Sequence, residues 1–509
     1  MFKNKRAALV LALVVFASFA LTACGGSKKV DTDTLVVAQG ADAVTLDPHA
    51  NNDQPSARVM RQIYDTLLGM DEDMNVYPLL AESYENIDPL TWEFKLKEGV
   101  KFHDGNEMTA DDVVFSIERH LESPDVSHIL GLIDKVEKID DYNVRIVTSE
   151  PFAAIERHLC HMSAGILSKE SVEKHGAEFG QNPVGAGPYE FVEWQPGDSI
   201  TLKRFEDYHG EAAKTENVVF RAVKEGTGRT VGLETGEISI AYDIDPVDIE
   251  QIKENAELDY IYKPSLSVDF IGMNNMKEPF TDVRVRRAMN HAINVQEILD
   301  TVLEGDGELA VSPLQKSVFG ATTDVQTYEY DPEKAKALLA EAGYPNGFKT
   351  TISTDDGAVR TRISELVQGQ LKEVGVEAEV DTMEWSKYLE MTGKGNSEMF
   401  ILGWSTNTGD ADYGLSAPFM TKNQGDAGNR YFYSNKEVDK LLTDAAHEID
   451  TDKRKALYVK AQQTIKEDAP SILLFHKSIN AGIQKDIKGF KIHPAGSHLL
   501  QYAYYDVEE

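Results

Sequence analysis

At 509 residues the chain is too long for a single core and is expected to divide into roughly two to four domains. Asp and Glu outnumber Lys and Arg by 85 to 51 with no basic patch, which excludes a nucleic-acid partner, since phosphate binding relies on clustered cations. Hydrophobic residues at 41% are enough for globular packing, while the formal charge of −34 implies a self-repelling surface and names no ligand.

Lys3, Lys5 and Arg6 precede an apolar run from Ala7 to Leu21, which closes in Leu21-Thr22-Ala23-Cys24-Gly25-Gly26. The run is shorter than the ~20 residues a membrane span needs, so it reads as an export signal. A cysteine directly after Leu-Thr-Ala resembles the lipobox of bacterial lipoproteins. That resemblance implies cleavage after residue 23, acylation of Cys24 and a short polar tether over 24–34. Cys160 is then the one other cysteine, so no intrachain disulfide is expected. His158-Leu159-Cys160-His161 offers metal-ligand types, but these positions do not converge on one ion and no second cluster completes a set. No metal and no cofactor is expected.

Leu35 to Ala38 reads as a buried strand that breaks into Gln39-Gly40-Ala41-Asp42-Ala43-Val44-Thr45-Leu46-Asp47-Pro48-His49. Ser56 to Leu68 has helical apolar spacing at Val59, Ile63 and Leu67. The Asp71 to Asn75 run imitates a calcium loop but has Val76 where the sharp turn requires glycine, so it reads as a turn. Trp92, Phe94 and Leu96 alternate with charged residues as a half-exposed strand does, and Thr109-Ala110-Asp111-Asp112 supplies a helix cap. Further on, Asp331 to Ala342 (helix), Lys349 to Ser353 (strand), Arg360 to Val374 (helix) and Val376 to Asp381 (strand) alternate as α/β segments do. Met399 to Leu402 is a second apolar strand that opens into a small, polar loop, Gly403-Trp404-Ser405-Thr406-Asn407, followed by Asp410 and Asp412. Two strands that open into polar loops are places to put a ligand.

The segment from Ala81 through Thr109 to Phe115 resembles the signature of the family 5 extracellular solute-binding proteins of bacterial ABC importers, the peptide- and nickel-binding group. Val184-Gly185-Ala186-Gly187-Pro188-Tyr189, Asp269-Phe270-Ile271-Gly272-Met273-Asn274, Pro279 to Ala288 and Tyr433 to Leu442 are similar to later family segments, in the same order. Together they span about 35 to 509.

The resemblance implies an α/β, two-lobed periplasmic-binding-protein-like fold (type II, cluster C-like) with an extra inserted domain and a hinged ligand cleft. It implies a discontinuous domain I (35–70, 186–266 and 483–509), an inserted domain II (71–185) and a domain III (267–482). In peptide-binding members an extended peptide lies between loops matching Ala43-Val44-Thr45 and Gly403 to Asn407, paired with them as an added strand.

Two charged anchors of dipeptide binders are displaced. The aspartate three residues past the tryptophan is Asn407, and the position of the carboxylate-binding arginine is Thr354. Asp410 or Asp412 is expected to take a ligand ammonium, and Arg360 or Arg362 a carboxylate; the alternatives are turn caps and solvated charges respectively. The run Ser405 to Tyr413 is closer to glutathione or oligopeptide binders. The expectation is therefore a monomeric, lipid-anchored receptor, at the cell surface or in the periplasm, that delivers peptides to an ABC-importer permease and catalyses no reaction. The alternatives are a receptor for a nickel complex or another small polar solute, and an extracellular peptidase using Asp410 and Asp412.

Overall fold

The apolar run at Leu35–Ala38 forms the middle of the strand Thr34–Gln39, which is parallel to both of its neighbours, Asn217–Ala222 and Ile240–Tyr242. A strand covered on both faces reads as a continuous apolar run rather than an alternating one, as this one does. Around it stands a seven-stranded sheet in the order Leu258–Pro264, Ser478–Gln484, Ile240–Tyr242, Thr34–Gln39, Asn217–Ala222, Ser199–Arg204, Tyr189–Gln195. This computed structural model describes residues 32–506. The expected signal segment, the lipidation site Cys24 and most of the 24–34 tether therefore lie outside the described residues.

A six-stranded sheet forms a second half, ordered Glu308–Leu309, Ser471–His476, Ser267–Met273, Met399–Ser405, Lys349–Asp355, Glu377–Met383. A third, four-stranded antiparallel sheet runs Ala81–Asp88, Thr91–Leu96, Asn143–Thr148, Ile133–Asp140. It packs on the helix Ala110–Leu121, whose expected cap is a reciprocal one: Thr109 bonds the third helical residue, and Asp112 accepts from the Thr109 backbone at 3.0 Å.

The chain passes between the two large sheets twice. The strand Leu258–Pro264 leads into Ser267–Met273, and Ser471–His476 leads back into Ser478–Gln484. The crossings touch: the Ser265 hydroxyl donates to the Lys477 carbonyl at 2.7 Å and the Ser265 amide donates to the same oxygen at 3.3 Å. The return falls at Lys477, ahead of the expected boundary at 482. The reason is the ladder of Ser478–Gln484 with Leu258–Pro264, which starts at the first residue and holds for all seven.

The expected helix from Ser56 to Leu68 is the shorter Gln54–Ile63, with Pro55 in its first turn. Tyr64 leaves the helix in extended conformation, and Leu68–Met70 instead pairs with Val76–Pro78, the Asp71 segment making the turn between them. The stop is tertiary. The Gly187 amide donates to the Ile63 carbonyl at 2.9 Å, and a Cβ on Gly185 would lie 2.2 Å from that same oxygen. Later segments follow the alternation read from sequence: helix Pro332–Glu341, strand Lys349–Asp355, helix Ala358–Glu373 and strand Glu377–Met383.

Candidate functional site

Between the seven-stranded and six-stranded halves lies a cavity of about 630 Å³. It sits beyond the carboxyl end of Thr34–Gln39, where open α/β sheets leave a crevice. The loop that follows is held from below: the Asp42 carboxylate accepts from the Ala43 amide (2.8 Å), the Trp194 indole (3.0 Å) and the Gly197 amide (2.7 Å). The Val44 amide donates to Ser56 Oγ at 2.8 Å. Val44 lines the cavity with Gly40 and Ala41, whereas Ala43 turns into the core and Thr45 accepts from the Asp47 amide away from the cavity.

The opposite wall is the end of Met399–Ser405. Its first four residues are buried, as an apolar run inside a sheet should be. Strand Ser267–Met273 pairs with all seven residues on one side, while Lys349–Asp355 pairs on the other side only at Met399 and Phe400. The Thr406 amide bonds the Leu266 carbonyl at 3.0 Å, which fixes the alternation of the ladder and turns the Gly403 and Ser405 peptide groups away from Ser267–Met273. Tyr388 closes the Ile401 carbonyl at 2.5 Å, and Asn407 N–H takes the Ser405 carbonyl at 2.9 Å. What is left open toward the cavity is the Gly403 peptide and the Ser405 amide. Beside them the Trp404 indole N–H, Ser405 Oγ and Asn407 Oδ1 are buried with no hydrogen-bond partner among the described residues. Gly403, Trp404, Ser405 and Asn407 line the cavity; Thr406 is buried behind them.

Five residues further on the chemistry reverses. Asp410 caps the helix Ala411–Phe419 and receives both Arg454 guanidinium nitrogens, at 2.9 and 2.6 Å. Asp412 lies 3.2 Å from His158 Nε2 and accepts from the Tyr458 hydroxyl at 3.2 Å. Burial works to raise the Asp412 carboxyl, and His158, Arg454 and Tyr458 together outweigh it, so it sits below the usual carboxylate range. Neither aspartate lines the cavity. Their oxygens, expected to take a ligand ammonium, are instead engaged inside the body in this structure. Of the two arginines, Arg360 lines the cavity, bonded to Asp355 at 2.9 Å and lying over the Trp385 ring. Arg362 does not line it, and its Nε and Nη2 are buried without partners among the described residues.

The two halves also touch across the cavity in ways no local pattern foretold. The Trp385 indole donates to Asp53 at 2.9 Å, Asn52 donates to the Tyr413 hydroxyl at 2.9 Å, and Lys224 pairs with Asp356. Burial raises the Asp53 carboxyl, which meets only neutral donors. On the flank, Val126 and Ile129 form a dry patch with Tyr413 and Ala417, and His158 and His161 pack on the Tyr413 ring. These contacts bridge the sides of the cavity.

Residues 75–426 match the model of the bacterial extracellular solute-binding proteins, family 5 (middle). The chain is 36% identical over 475 residues to the glutathione-binding protein GsiB of Pectobacterium atrosepticum, covering 90% of this chain and 91% of that one. Among solved structures it resembles the periplasmic binding protein DppA of Helicobacter pylori in complex with the peptide STSA (TM-score 0.89, 30% identity, 93% of this chain and 98% of that one). It also resembles the oligopeptide-binding protein AppA of Bacillus subtilis in complex with a nonapeptide (TM-score 0.87, 28% identity, the same coverage). The fold is thus the two-lobed α/β binding-protein fold with a cavity between its halves, and the chain belongs to the family 5 bacterial extracellular solute-binding proteins.

Proposed function

We propose that the protein is the extracytoplasmic receptor of an ABC importer and that its cavity holds a short peptide laid as an added strand against Gly403 and Ser405. One observation carries this reading: a strand end with open peptide groups, beside three buried polar side-chain atoms that have no hydrogen-bond partner among the described residues, borders a cavity bridged by contacts from the opposite half. Main-chain pairing gives affinity that does not depend on reading each side chain. The volume falls within the ~300–1,000 Å³ of small-ligand sites. The glutathione named for one relative and the peptides named for the two structures are ligands of this kind. The receptor works without catalysis, as a monomer anchored through an acylated Cys24, and hands its ligand to the permease when the lobes open. Domain I (35–70, 186–266 and the segment after Lys477), domain II (71–185) and domain III (267–476) are the parts that move.

Native mass spectrometry of the purified chain, with identification of what denaturation releases, tests the ligand class. Peptides of a few residues support it; an empty protein, or one that holds a metal chelate, overturns it. Radiolabelled palmitate incorporated by the wild type and not by Cys24→Ala supports the anchor.

A further inference from the structure

Asp269 is a carboxylate in the middle of an otherwise apolar strand, and only 6% of it is exposed. A buried charge requires a partner. The ladder sets it opposite Gly403, and an ideal Cβ on residue 403 would lie 2.7 Å from Asp269 Oδ1. Glycine there is what lets the carboxylate lie over the neighbouring strand, beside the peptide groups that face the cavity. On its other side the pairing with Ser471–His476 slips at Asp269/Phe270, where Leu474 is passed over. Such irregularities re-aim side chains next to binding sites.

Asp269 lines the cavity, and its Oδ2 has no hydrogen-bond donor among the described residues. The nearest cation, Lys477 Nζ, is 3.5 Å away on a half-exposed side chain in the hinge, and it also faces Asp306. Arg360 pairs with Asp355 at 2.9 Å and feels the Asp269 charge from farther off, with no ion-pair contact to it among the described residues. Among the other acidic groups around the cavity, Asp243 has Arg58, Asp53 has Trp385 and Asn51, Asp426 has Arg430, Glu390 has Lys394 and Asp245 has Arg229 at 3.5 Å, while Asp125 and Asp306 lie outside the strand and away from Gly403.

We propose that Asp269 is the anionic anchor for a cationic group of the ligand, the α-ammonium or a lysine or arginine side chain of a bound peptide. It takes the part that Asn407 cannot play and that Asp410 and Asp412 are not placed to play. The assignment rests on the peptide reading above.

The test is competitive binding of a random tetrapeptide pool and the same pool N-acetylated, to wild type and to Asp269→Asn, with the bound fraction identified by mass spectrometry. The expected result is at least tenfold enrichment by wild type of peptides with a cationic group, and loss of that enrichment in Asp269→Asn with its melting temperature preserved. Retention of lysine- and arginine-containing peptides from the acetylated pool assigns the side chain as the source, and loss of the whole acetylated pool assigns the α-ammonium. Lys477→Met, which removes the competing cation and leaves Asp269 in place, is expected to keep the enrichment. Equal enrichment by wild type and Asp269→Asn, or its loss in Lys477→Met, overturns the proposal while peptide binding stands. If wild type retains no peptide from either pool, the peptide reading falls and the anchor falls with it.

Discussion

Gly403 to Asn407 and Thr408 to Asp412 are consecutive, of similar polarity and equally rich in hydrogen-bonding groups, yet they are opposites in the folded chain. In the first stretch, three buried polar side-chain atoms have no hydrogen-bond partner among the described residues, and the Gly403 peptide and the Ser405 amide are left open beside the cavity. In the second, Arg157 takes the Thr408 carbonyl, Arg454 takes both oxygens of Asp410, and His158 and Tyr458 flank Asp412. Buried polar groups are normally satisfied, so where they are not is informative. The satisfied stretch is scaffold, and the unsatisfied one is where something else binds.

Substitutions should separate the two stretches. Arg454→Ala leaves the Asp410 carboxylate buried and unpaired and is expected to lower stability by ~3–5 kcal/mol in urea unfolding. Peptide affinity, measured where the variant is still folded, should change little; a selective loss of binding with stability intact would return Asp410 to the site. Trp404→Ala is the converse case. It removes an aromatic wall and an open donor, and is expected to cost ~2 kcal/mol of binding, roughly thirtyfold in Kd by calorimetry, with a smaller effect on melting.

The next effect is a titration. Burial, with Arg119 beside one ring and His158 and His128 beside the other, holds His49 and His161 neutral, each pushed down to about 3. Below pH ~6.5 the unfolded chain takes up protons that the folded rings refuse, so stability is complete above that pH and falls as pH drops toward 3. Between pH 7 and 5.5 the loss should be about 1 kcal/mol per ring, and His161→Gln should flatten the slope. The smallest change is Trp385→Phe, which strips Asp53 of a donor that reaches it from the facing lobe. It is expected to weaken ligand affinity by ~1 kcal/mol, several-fold in Kd, by disfavouring closure.

Much of this architecture was legible because it is local. Leu35–Ala38 and Met399–Leu402 are apolar runs that end where the chain changes character, and Thr109 and Asp331 cap the helices they announce. The loops at Val44 and Trp404 meet at one cavity because both follow strand ends that face it. What was not legible depends on distance along the chain. The partner of Asp410 is 44 residues away, and that of Trp385 is 332 away. The helix at Gln54–Ile63 stops early because residues 185–187 pass across its end. Asp269 did leave a trace, an acid set between Val268 and Phe270 in a strand that otherwise avoids charge. Without its neighbour across the ladder, that trace could not be told from an ordinary surface position.

The paired crossings at Ser265 and Lys477 have a mechanical consequence. One crossing alone would act as a swivel, letting the halves twist as well as part. Two crossings stitched together by hydrogen bonds to a single carbonyl behave like a door on two pins, with one soft axis. The separation of the outer rims then becomes a function of one angle. A membrane protein that grips both rims can read whether the cleft is full as a span between two points, without touching the cargo.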